Sequence, residues 1–243
     1  MFDREKFLKK CEELYPIYKK RVRGVPPAFG CVLEGESFCF CVLCEMLGVD
    51  VIIESGLCHG ASTQMFAKYF LGTSMEIYTI DLEVMDETKK ALEEYPNIKD
   101  ILAGDGASIV PEVISSVEKS KKIAVFIDGP KSEEQLELAK AVINDVEFVG
   151  LHDVGQDFSD WAYAGTYEKF MEWEDAQFIT TELWYSSRYS HMNETQLLWL
   201  RGEPNTGWPQ RNDGYDCERH NPILEKVTPK GFGLGIAMKR TLA

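Results

Sequence analysis

Between Val49 and Leu151, short apolar runs alternate with helical segments, and each run gives way to glycine or an acidic residue. The runs are Val49–Glu54, Ile77–Ile80, Ile98–Leu102, Ile123–Ile127 and Phe148–Leu151. Most are separated by segments read as helices, at Ser62–Phe70, Asp86–Tyr95, Ser108–Ser116 and Glu133–Asp145. Strands that are apolar on both faces and alternate with helices predict a parallel sheet covered on both sides. Right-handed crossovers then gather the carboxyl ends of all strands on one edge, where open α/β sheets bind their ligands. The expected fold is therefore α/β, Rossmann-like and doubly wound.

The flanks differ in texture. Phe7, Leu8, Cys11, Leu14 and Tyr15 recur at three- and four-residue intervals, predicting an amphipathic helix from Asp3 to about Tyr15 that Pro16 ends or kinks. "GVPPAFG" reads as loop, and Glu36–Leu47 as a second, more buried helix stopped by Gly48. Beyond Leu151 the pattern predicts a helix at Tyr163–Trp173, a strand at Gln177–Trp184, and a last pair of strands at Gln196–Leu200 and Gly233–Met238. The stretch 201–231 is rich in Gly, Pro and Asn and reads as a long loop, expected to serve as a lid or a subunit contact. The organisation expected is an N-terminal helical extension over 1–35, then one domain over 36–243 with a loop-rich insertion at about 201–231. A homo-oligomer would form through the first helix or that loop.

Composition narrows the partners. Forty acidic against 26 basic residues give a net charge of −14, which disfavours nucleic acid, since phosphate-backbone binding relies on clustered Lys and Arg. A small-molecule partner is expected instead. The seven cysteines show no repeated Cys-x-x-Cys pairs with histidines, so they read as reduced thiols, and Cys41-x-x-Cys44 as small core residues. No window approaches the length of a membrane span and "MFDREKFLKK" lacks a signal peptide's apolar stretch, so a cytoplasmic protein is expected.

The strand ends carry the chemistry. They present Glu54-Ser55-Gly56, Asp81-Leu82-Glu83, Gly104-Asp105-Gly106, Asp128-Gly129-Pro130 and His152-Asp153. One such acid is readily a helix cap or turn former, but five in register suggest a site. Gly56 and Gly60 allow close approach of main chain to a ligand, and Ser62 and Thr63 open the next helix with its positive dipole. Asp81 is placed to accept from two ribose hydroxyls, and Asp105 from an adenine amine. "GLCHG" also fits a nucleophile elbow, giving a rival hydrolase with a Cys58–His152–Asp128 triad. Against it, only about fifty residues precede Cys58 and no His-Gly-Gly oxyanion segment is present. A nicotinamide oxidoreductase would want G-x-G-x-x-G, which Gly56-x-x-x-Gly60 does not supply. A non-catalytic ligand-binding or assembly module is a further alternative.

With these residues in place, the sequence resembles the class I S-adenosylmethionine-dependent methyltransferases. It is most similar to the branch of macrolide-sugar O-methyltransferases and cephalosporin-hydroxylase-like proteins. Glu54, Gly56, Gly60 and Ser62 look like that branch's E-x-G-x-x-x-G-x-S motif. "YTIDLE", "VFIDGPKS" and "GLHDVG" resemble its second-, fourth- and fifth-strand motifs, and "GLGIAMKR" its last strand. The likeness covers about Glu36 to Asp160 plus that tail. It implies a mostly parallel seven-stranded sheet with a C-terminal antiparallel hairpin, and S-adenosylmethionine bound by Glu54, Gly56, Gly60, Ser62, Asp81, Asp105 and Asp128. The activity implied is methyl transfer to a small-molecule hydroxyl.

The resemblance further implies a divalent metal, magnesium, held by Asp128 and Asp153 with His152 as a third ligand. His152, Asp128 and Asp153 would be the catalytic group, with His152 the base if no metal binds and His191 a distant second. Trp161, Tyr163, Tyr167, Trp184, Tyr185 and Trp208 are candidates for the acceptor-pocket wall. The chain departs from the branch after the fourth strand, where Pro130-Lys131-Ser132 replaces its frequent Asp-x-x-His. It also lacks the G-x-G of commoner methyltransferases.

Overall fold

Seven strands form a single sheet in the order β3-β2-β1-β4-β5-β7-β6. The computed structural model describes residues 2–25, 32, 34–154, 166–179 and 233–239. The strands are β1 (Val51–Ser55), β2 (Glu76–Asp81), β3 (Ile98–Ala103), β4 (Ile123–Ile127), β5 (Phe148–Leu151), β6 (Ala176–Ile179) and β7 (Gly235–Ala237). The first five pair in parallel, while β7 lies antiparallel between β5 and β6. This is the mostly parallel sheet with antiparallel C-terminal pairing that the sequence implied. Gln196–Leu200, the 201–231 loop, His191, Cys217 and the candidate pocket aromatics Trp161, Tyr163, Trp184, Tyr185 and Trp208 lie outside the described residues, while Tyr167 falls in the helix Thr166–Glu172.

Strand direction reverses its walk at β1. The chain moves outward from β1 through β2 to β3, then returns to place β4 on the other side of β1 and continues to β5. A crevice opens at such a switch point because the crossovers on its two sides leave in opposite directions. The turns after β1 and β4 are therefore neighbours.

Alternation of side chains sends each strand into two cores. Ile52, Ala124, Phe126, Phe148 and Ile236 face one side, under α2 (Glu34–Leu47) and α3 (Ala61–Tyr69). Val51, Ile53, Val125, Ile127, Val149 and Leu151 face the other, under α5 (Gly106–Ser116) and α6 (Ser132–Val142). Phe40 of α2 sits at the centre of the first core, its ring 4.9 to 5.2 Å from those of Phe66, Phe126 and Phe148. The cysteines Cys39, Cys41 and Cys44 are free and buried in the same layer, as expected of core residues.

Helix α1 (Arg4–Arg21) runs past the expected stop, carrying Pro16 inside it. Proline removes one backbone donor and costs about 3 kcal/mol in a helix interior. Packing beyond it offsets that cost: Tyr18 is fully buried against Phe38 and Tyr69, and Arg21 donates to the Tyr69 carbonyl at 2.6 Å. Elsewhere boundaries move by a few residues. Helix α4 (Asp86–Leu92) ends short of Tyr95, α5 begins two residues early, and α6 gives way to a 3-10 turn at Ile143–Asp145. Helix α7 (Thr166–Glu172) precedes β6. Among the described residues, no helix is long and apolar enough to cross a membrane.

Candidate active site

The turn after β1 is built around its glycines. Gly56 has φ +102°, and a Cβ there would lie 2.5 Å from the Gly129 nitrogen and 2.7 Å from the Asp128 carbonyl carbon. No side chain fits where the β1 and β4 turns cross. Its N–H donates to the Ile80 carbonyl at 2.8 Å, and the Ser55 carbonyl accepts from Asp128 at 2.6 Å and Gly129 at 2.9 Å. Three strand ends are thus bolted together by main chain. Cys58 has φ +46°, and Gly60, at φ +73°, caps the start of α3.

Asp81, at the end of β2, reaches across this turn. Its Oδ2 accepts the Cys58 N–H at 2.6 Å, and among the described residues Oδ1 has no partner. Asp81 therefore fixes the turn through one carboxylate oxygen and leaves the other unpaired among the described residues. Asp105 is placed differently. Its carboxylate caps α5, accepting from Ala107 N–H at 3.1 Å and Ser108 Oγ at 3.0 Å. The cap fixes its orientation at the end of β3, one strand beyond Asp81.

Glu54 and Ser62 lie beneath the turn. Glu54 is fully buried, and its Oε2 takes hydroxyl donors from Thr63 and, at 2.9 Å, from Thr79. It ties β1 to β2 and α3. Burial pushes its pKa up to about 7; the hydroxyls oppose that rise and the Asp128 charge adds to it. Glu54 thus shapes the turn from below.

A second cluster forms at the ends of β4 and β5. Asp128, His152 and Asp153 converge, each offering one donor atom within 4.8 Å of the other two. His152 Nδ1 lies 2.7 Å from Asp128 and 3.3 Å from Asp153. Its Nε2 is 3.2 Å from Oε2 of Glu36 in α2, close enough for an ion pair but not aligned as a hydrogen bond. Both ring nitrogens therefore face carboxyl groups. Burial alone would lower the His152 pKa, but Asp128, Asp153 and Glu36 override it and lift it well above the ordinary value. Gln135 of α6 fixes the frame, donating to the carbonyls of Ile127 at 2.7 Å and His152 at 2.9 Å. Asp153 itself adopts φ +63°.

Sequence reasoning did not assign the fourth member. Lys131 Nζ donates to Asp128 Oδ1, to Asp153 Oδ2 at 2.7 Å, and lies 3.4 Å from His152 Nδ1. The available signal was the departure from Asp-x-x-His, which places a lysine three residues after Asp128. Burial opposes its charge, but Asp128 and Asp153 more than compensate and hold the ammonium protonated. In turn, Lys131 and His152 outweigh the burial of Asp128 and Asp153 and hold both carboxyls below their usual range. Two carboxylates are thus met by two side-chain cations. The donor set expected for magnesium is assembled, but a lysine already bonds the same two oxygens that an ion would take, so the residues do not fit a divalent metal as they stand.

The hydrolase triad does not form among the described residues. Cys58 has the positive φ of an elbow, but His152 turns its nitrogens to Asp128, Asp153 and Glu36 instead of to the thiol. Burial pushes the Cys58 pKa up, with the charges of Asp128 and Asp81 adding to the rise. The thiolate such a nucleophile needs is disfavoured.

Comparison with known proteins bears on this geometry. The model of the rhamnosyl O-methyltransferase/CmcI family matches residues 40–147. The resemblance to methyltransferases holds over that segment. It runs from α2 to the threshold of β5, and so takes in the Gly56–Gly60 turn, Asp81 and Asp128. A curated relative, named "Probable cobalt-precorrin-6B C(15)-methyltransferase (decarboxylating)" from Archaeoglobus fulgidus, is 33% identical over 93 residues, 38% of this chain and 50% of its own. The chain thus spans about half the length of that relative. Among solved structures, cofactor-bound Rv0187 from MTB is 12% identical, covering 70% of this chain and 81% of its own with a TM-score of 0.46. CalS11, a TDP-rhamnose 3'-O-methyltransferase of calicheamicin biosynthesis, is 15% identical, covering 67% and 68% with a TM-score of 0.37. Beyond the rhamnosyl O-methyltransferase/CmcI match lie His152, Asp153 and the C-terminal strands.

Proposed function

We propose that this protein transfers a methyl group from S-adenosylmethionine to a hydroxyl oxygen of a small molecule. The observation that carries the reading is the Gly56–Gly60 turn, held over the strand ends by Asp81 and lying within the segment matched by the rhamnosyl O-methyltransferase/CmcI family. The adenosyl group lies along that turn, with Asp81 Oδ1 accepting from the ribose and Asp105 one strand further out, toward the adenine.

The sulfonium is already activated, so the protein's task is alignment and proton removal. The acceptor oxygen attacks the methyl carbon and forms the new C–O bond. The C–S bond breaks with its electron pair remaining on sulfur, which leaves S-adenosylhomocysteine. As the oxygen takes the methyl its proton becomes strongly acidic, and a carboxylate suffices to receive it. Asp153 is the group we assign to that role. His152, held between three carboxyl groups, positions Asp128 and Asp153 and is not itself the base.

Calorimetric titration with S-adenosylhomocysteine is the test. One site with micromolar affinity is expected. No detectable heat at millimolar ligand would remove the methyltransferase reading. Binding without transfer of labelled methyl to any component of a metabolite extract would favour the ligand-binding module.

A further inference from the structure

We propose that the Lys131 ammonium is the built-in cation of the acceptor site, standing between Asp128 and Asp153 where a divalent ion would otherwise bind. This rests on the methyltransferase reading above, and it assigns the group that meets the acceptor oxygen. Three observations support it. Nζ contacts both carboxylates through the same Oδ atoms that face His152 Nδ1, and the three residues Asp128, His152 and Asp153 form an ion-sized cluster. It also lies 3.4 Å from the third member, so its place is among the three donors and not at their margin. Finally, the Lys131 side chain is 31% exposed, against 10%, 11% and 4% for Asp128, Asp153 and His152. Lys131 is therefore the member of the cluster whose side chain is most open to an incoming molecule.

The chemistry is that of a fixed point charge. A lysine ammonium has three donors on a compact centre. Anchored by two carboxylates, it directs positive potential toward the acceptor hydroxyl and favours passage of that hydroxyl's proton to Asp153 as the methyl arrives. It transfers no proton itself. A magnesium ion in the same place would present two positive charges and several waters, and would bind paired hydroxyls. One ammonium suits a single hydroxyl, so an acceptor with one reacting hydroxyl is favoured over a vicinal diol.

The test uses Mn²⁺ alone as probe, titrated into the full-length chain and followed by the paramagnetic resonance of the free ion, with S-adenosylhomocysteine affinity measured in parallel. Wild type should leave the free Mn²⁺ signal unchanged at about 1 mM. Lys131→Ala should bind one Mn²⁺ at least tenfold more tightly than wild type, and Asp153→Asn in that background should abolish the binding. A wild type that binds one Mn²⁺, lost on Asp153→Asn, overturns the proposal. So does a folded Lys131→Ala protein, still competent for S-adenosylhomocysteine, that gains no Mn²⁺ site. Lys131→Gln serves in its place if the alanine variant does not fold, and wild-type Mn²⁺ binding that Asp153→Asn removes decides against the proposal without either Lys131 variant. Absence of S-adenosylhomocysteine binding to wild type strikes the methyltransferase reading and is seen separately from either Mn²⁺ result.

Discussion

Asp81 Oδ2 accepts the backbone N–H of Cys58 at 2.6 Å, joining the end of β2 to the turn that follows β1. One carboxylate thus shapes the turn, and in the proposed function its other oxygen takes the ribose. Asp81→Ala should lose both, weakening S-adenosylhomocysteine by about tenfold to a hundredfold, roughly 1.4 to 2.8 kcal/mol. Asp81→Asn keeps an acceptor for the Cys58 N–H but loses the charge, and should fall between wild type and alanine. Calorimetric titration of the three proteins checks the order, and equal affinities would remove Asp81 from the site.

Gly56 is constrained twice, by its positive φ and by the Gly129 nitrogen 2.5 Å from where a Cβ would stand. An alanine there cannot be accommodated by rotating a side chain, because the obstacle is backbone. Gly56→Ala should cost about 3 kcal/mol or more in urea unfolding and should also abolish cofactor binding by parting the β1 and β4 turns. Gly72→Ala is the control. It also has positive φ but nothing within 4 Å, so its cost should be about 1 kcal/mol with binding retained.

Much of this was legible in the sequence because strand and turn signals are local. The five apolar runs became β1 to β5 with small boundary shifts, and the acids at their ends lie on one edge because parallel strands leave no other arrangement. What was not legible depends on contacts across the fold. Pro16 is a stop signal read locally, yet Tyr18 and Arg21 make the helix continue through packing that only α2 and α3 supply. Glu36 looked like the polar start of a helix, but the fold turns it onto His152. Lys131 stood out only as a missing histidine. Its meaning required β4 and β5 to be neighbours, which brings Asp128 and Asp153 to the same Nζ.

The buried His152 also has a testable energetic consequence. Replacing it leaves the carboxyl groups of Glu36, Asp128 and Asp153 around an emptied space, with one cation fewer to match them. Removing one partner of a buried charge pair costs roughly 3 to 5 kcal/mol. His152→Ala should therefore lower the urea midpoint strongly. Glu36→Gln in the same background should restore part of the loss by removing one carboxylate. If His152 were a surface-facing base instead, His152→Ala would leave the midpoint nearly unchanged while lowering turnover.

Glu54 makes the stability of the fold depend on pH in a direction that can be worked out. Its folded pKa, about 7, lies above the ordinary 4.5, so between those values the folded state binds more protons than the unfolded state. Stability should then fall as pH rises through this window, by about 1.4 kcal/mol per unit of pKa difference, or roughly 3 kcal/mol in all. His152 adds to the same slope above its unfolded value, because its raised pKa keeps it protonated when folded while the unfolded chain releases the proton. Comparing wild type with Glu54→Gln at each pH separates the two, since only the Glu54 contribution is removed. The variant should gain on wild type by roughly 2 to 3 kcal/mol between pH 5 and pH 8 in urea titrations, while the part of the slope due to His152 remains. A difference between the two proteins that does not change with pH would mean that Glu54 is ionised beneath the turn throughout.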